Sequence, residues 1–88
     1  MAGNTRGKLK EHLEGVHRNF DWSIHHLQES LTLIAEQIRV SAIAENPNIT
    51  DTEIQQQVEE YPLYKAVLKL GESIQALDVI SMDVYSHL

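Results

Sequence analysis

Eighty-eight residues make one domain with a thin core, because a chain of this size buries only about 60–65% of its unfolded surface. There is no cysteine, so neither a disulfide nor a thiolate zinc site supplements that core. The formal charge of −6 is unevenly spread: residues 1–20 carry Arg6, Lys8, Lys10 and Arg18 against Glu11 and Glu14, whereas the remainder has three bases against eleven acids. An acidic body of this kind lacks the clustered bases that displace counterions, which argues against a nucleic-acid partner. No run of about 18 apolar residues is present to span a membrane. The polar start shows no apolar secretory segment, so a cytoplasmic location is the expectation.

Residues 1–7 are small and polar with two glycines, and read as a flexible tail in which Asn4 or Thr5 is the candidate helix cap. Gly3 to Lys8 is no Walker A loop: three residues separate the glycines instead of four, and Leu9 stands where a magnesium-binding hydroxyl belongs. The folded domain is expected over 8–88. Its first element is a long helix near 9–44, whose apolar residues Leu9, Leu13, Val16, Phe20, Ile24, Leu27, Leu31, Ile34 and Ile38 recur in steps of three and four. Asn46-Pro47-Asn48 ends it, since proline disfavours the α conformation in the residue before it.

Thr50-Asp51-Thr52-Glu53 is a capping box and starts a second helix near Asp51. Pro62 kinks that arm or begins a new helix. Beyond it Leu63, Val67, Leu70, Ile74, Leu77, Val84 and Leu88, with Ser81 in the one polar place, form a heptad seam. The two arms, 8–45 and 51–87, are nearly equal and joined by a short connection, which predicts an all-α, antiparallel helical hairpin with its second arm kinked or broken at Pro62.

Each arm of a hairpin has one neighbour, yet both carry more than one apolar stripe. Trp22, Leu33 and Val40 (with Ala44) lie away from the main seam of the first arm, and Tyr64, Leu68, Val79 and Met82 flank the seam of the last helix. Aligned apolar residues of this kind predict an interface, and a homodimeric four-helix bundle or a higher oligomer is the expected form. The first functional expectation is therefore a small acidic, non-enzymatic regulatory protein that binds itself and a partner macromolecule, another protein in the first instance.

Two alternatives rest on chemistry. Glu14 and His17 have the Glu-x-x-His spacing that places two ligands on one helix face, and Asp21 and His25 continue that edge, so a divalent metal in a ferritin-like carboxylate and histidine bundle is the second expectation. Otherwise no cofactor is expected. The basic start, Arg6, Lys8 and Lys10, is the candidate binder of a small anion or nucleotide at an oligomer interface. A hydrolytic triad is not supported: nothing in the pattern supplies a shaped pocket or an oxyanion hole.

Overall fold

The structure, a computed structural model, describes residues 2–88, with side chains from residue 5 onward. It contains α1 (Ala2–Glu45), α2 (Asp51–Glu60) and α3 (Pro62–Ser86), with no strand among the described residues. The helix is continuous through 2–7, where the sequence suggested a flexible tail. Thr5 falls inside it, while Met1 and the side chain of Asn4 lie outside the described residues. No described residue there is a proline, and Gly7 in a helix costs only about 1 kcal/mol relative to alanine. Among the described residues no helix is long and apolar enough to cross a membrane.

The reversal between the arms is built from local hydrogen bonds. Asn46 N–H donates to Ala42 O at 2.9 Å and closes α1. The Asn46 side-chain oxygen then accepts from Asn48 N–H at 3.1 Å, and Ile49 N–H donates to Asn46 O at 3.0 Å, forming a turn around Pro47. Thr50 caps α2 by accepting from Glu53 N–H at 3.2 Å, and its hydroxyl donates to the Glu53 carboxylate at 3.0 Å. The second arm breaks at Tyr61, whose extended backbone (φ −68°, ψ 122°) lets Pro62 open α3 at its first position. An exposed Arg39–Asp51 pair at 3.4 Å links α1 to α2 and, being solvated, contributes little.

The core lies at this bend. Ala42, Ile54 and Val58 are buried, with Ala35, Ile38, Ile49 and Tyr64 packed around them. Away from the bend only half-buried side chains join α1 to α3, and the hairpin is a rod of 69 × 16 × 15 Å.

The rotation of α3 differs from the one its hydrophobicity suggests. The residues turned toward α1 are Tyr64, Val67, Gly71, Ile74, Asp78, Ser81 and Tyr85. Leu63, Leu70, Leu77 and Val84, expected in the seam, are all exposed. They alternate with Ala66, Ser73 and Ile80 in steps of three and four and make a second complete heptad stripe. On α1 the run His12, Val16, Asn19, Ser23, His26, Ser30, Leu33, Gln37, Val40, Ala44 has the same stepping. Both runs border one side of the hairpin: Gln37 of one and Leu63 of the other line a common groove near the bend, where Glu45 stands at its end. Neither run contains Asp, Glu, Lys or Arg. The opposite side carries the charges, among them Lys10, Glu14, Asp21 and Glu72.

Two glycines weaken the helices without a steric reason. A Cβ at Gly71 would meet Leu27 Cδ1 at 4.0 Å, and one at Gly15 would meet Arg18 Nη2 at 3.9 Å, both ordinary contacts. Gly71→Ala and Gly15→Ala are each expected to stabilise the fold by about 1 kcal/mol in urea titrations followed by circular dichroism, whereas Thr50→Ala is expected to cost about 1 kcal/mol.

Candidate functional site

The polar side of the hairpin gathers several residues that the sequence singled out, together with three that it did not. His17 on α1 faces Asp78 on α3, and its Nδ1–H donates to Asp78 Oδ1 at 2.7 Å. Asp78 occupies a seam position that an apolar residue would normally fill, and its side chain is only 14% exposed, against 42% for His17. The Ser81 hydroxyl donates to Asp78 O at 2.9 Å and also lies 3.2 Å from Asp78 Oδ1, beside the carboxylate. Asp21, one turn beyond His17, completes a cluster in which one ligand atom from each of His17, Asp21 and Asp78 lies within 4.8 Å of the others.

This neighbourhood raises the His17 pKa above its ordinary value. The hydrogen bond that His17 donates to Asp78 is the largest cause, the negative charge of Asp78 the next, and desolvation opposes both while Asp21 adds a smaller push.

The remaining expected ligands go elsewhere. Glu14 accepts a hydrogen bond from the Tyr85 hydroxyl at 3.0 Å. His25 packs edge-on to Trp22 at 5.8 Å, while His26 stacks on the indole at 5.4 Å, so His25 belongs to an aromatic group on the outer face of α1. Of the basic start, Arg6 and Lys10 line a shallow groove with Tyr85, Ser86 and Leu88 at the open end, and Lys10 Nζ stands 6.0 Å from the Tyr85 ring centre. Lys8 is exposed and does not line that groove.

The expected interface residues divide. Trp22, Leu33 and Val40 are exposed on or beside the charge-free run of α1. Leu68, Val79 and Met82 are exposed on the charged side, where Met82 shares a groove with Glu14 and His17. Tyr64 is half-buried against the core at the bend. Asp78 was findable in principle, being the one charged residue in the stepping 71, 74, 78, 81, 85. That stepping is not the most apolar one on the helix, so hydrophobicity points away from it.

Compared with known proteins, the chain matches no protein family, no curated sequence and no solved structure.

Because the His17 pKa is higher in the folded than in the unfolded chain, the stabilisation from this pair is fully present below the ordinary value of 6.5 and lost as pH rises through the folded value. The melting-temperature difference between the native chain and His17→Gln should therefore be largest in mildly acidic buffer and shrink with rising pH. A difference independent of pH between 5.5 and about 9 would contradict this assignment.

Proposed function

We propose that this chain is a non-enzymatic interaction protein that works as a homodimer: two hairpins stack through their charge-free sides into a four-helix bundle, whose acidic exterior engages another protein. The observation that carries the reading is the pair of uncharged heptad stripes bordering one side, with Leu33 at 63%, Val40 at 64% and Ile80 at 59% exposure. Surfaces that stay in water rarely keep so long a stripe free of charge.

Area supports a second copy as the occupant. A compact monomer of 10.0 kDa exposes about 5,200 Å². This chain exposes 6890 Å². The difference, roughly 1,700 Å² per chain, is about twice what a standard interface takes from each partner. Shape supports it too. The α3 stripe is bulky (Leu63, Leu70, Leu77, Ile80, Val84), while the α1 run is interrupted by Ser23, Ser30 and Ala44. A dyad along the rod sets each α3 antiparallel against the other copy's α1, so the apolar stripe of each α3 lies along the uncharged run of the other copy's α1. All neighbouring helices are then antiparallel, as in an up-down bundle. Trp22, beside the stripe and stacked on His26, extends the contact at its rim.

Native mass spectrometry and light scattering should give twice 10.0 kDa at micromolar concentration. Leu77→Glu, which buries an unpaired carboxylate in each half of the interface, should weaken dimerisation by at least about 100-fold. Val79→Glu, on the charged side, should leave the mass doubled. A monomer for the native chain, or equal loss in both variants, would sink the reading.

A further inference from the structure

We propose that His17, Asp21 and Asp78 form a binding site for one divalent transition-metal ion of the zinc type, which clamps the open half of the hairpin. The site lies on the charged side, away from the charge-free stripes, and stands apart from the dimer reading.

The argument begins with the two arms. His17 and Asp21 are four residues apart on α1, so their side chains project from one face in adjacent turns, the spacing by which a helix offers two ligands to a metal. Asp78 comes from the facing helix across the half-buried seam. One imidazole and two carboxylates are the nitrogen and oxygen donors that zinc accepts at about 2.0–2.2 Å, and a tetrahedral ion separates its ligands by about 3.4 Å. The present ligand atoms lie within 4.8 Å of one another; Asp21, which is exposed and accepts no hydrogen bond in the free hairpin, can turn toward the ion, while the 2.7 Å His17–Asp78 contact opens to admit it. Water fills the fourth position.

Charge supplies an independent reason. Asp21 and Asp78 place two carboxylates beside one imidazole. A dication at the same point neutralises both carboxylates, and the proton shared between His17 Nδ1 and Asp78 leaves to solvent when the imidazole becomes a ligand. The Ser81 hydroxyl, whose shorter hydrogen bond goes to Asp78 O at 2.9 Å, also lies 3.2 Å from Asp78 Oδ1, within reach of that ligand as an outer partner.

The position has a structural use. His17 lies 25 residues from Ala42 along α1, about 37 Å from the buried core at the bend, in the half of the rod where no described residue is buried. A metal there closes a loop of 61 residues and supplies the staple that a small scaffold without disulfides lacks.

Zinc chloride alone, titrated into untagged protein by calorimetry and followed by native mass spectrometry, should show one ion per chain and a raised melting temperature. Asp21→Asn should lower zinc affinity at least tenfold while leaving the helicity of the metal-free hairpin unchanged and its melting temperature only slightly lower, because the substitution breaks no hydrogen bond and removes only a minor electrostatic push on His17. His17→Gln should lower it further, and the double variant His25→Gln with His26→Gln should bind as the native chain does. No bound zinc at 100 µM (about ten times the protein concentration), or binding that survives Asp21→Asn and His17→Gln, would overturn the proposal.

Discussion

A helix in a hairpin touches one neighbour, and that single constraint governs this molecule. A cylinder about 10 Å across with one partner hides one stripe and leaves the rest of its circumference in water. Only where a third helix crosses the pair does anything become buried, and here that place is the bend, where α2 folds Ile54 and Val58 over Ala42. Everything beyond it is held by one half-buried seam. The apolar area left uncovered and the presence of Asp78 in the seam both follow: a seam this shallow is wet enough to tolerate a carboxylate.

The arrangement divides the rod lengthwise into unlike sides. One is uncharged and carries bulky aliphatic residues on α3 against small ones on α1. The other concentrates charge, and its polar contacts (Glu14 with Tyr85, His17 with Asp78) bind α1 to α3 directly. Such a division keeps the polar contacts that join the arms apart from the uncharged side through which we propose the chain pairs with a second copy.

Much of the fold was legible from residues alone. The long helix, the proline turn, the Thr50 cap and the break at Pro62 each rest on local chemistry, and each stands where that chemistry puts it. What was not legible is the rotation of α3. Its two heptad frames share Val67, Ile74, Ser81 and Leu88, so a pattern search sees nearly one signal, and hydrophobicity prefers the frame with Leu63, Leu70 and Leu77. The structure uses the other because Tyr64 packs on the core at the bend and fixes the helix from its first turn. The same rotation hid part of the candidate site. The edge formed by Glu14, His17 and Asp21 is local to one helix and visible in its spacing, while Asp78, Ser81 and Tyr85 reach it only through a contact 61 or more residues away.

The location of the core also has a kinetic meaning. Ala42, Ile54 and Val58 fall within 17 consecutive residues, joined by a turn whose hydrogen bonds span no more than four. The entropy of closing that loop is small, so the bend is the region best placed to form first, with the arms zipping outward from it. Protection against hydrogen exchange should then fall along the rod from the bend toward both termini. The corner is thus the best-anchored part of the hairpin, which makes the molecule a pair of tongs joined at its most durable point.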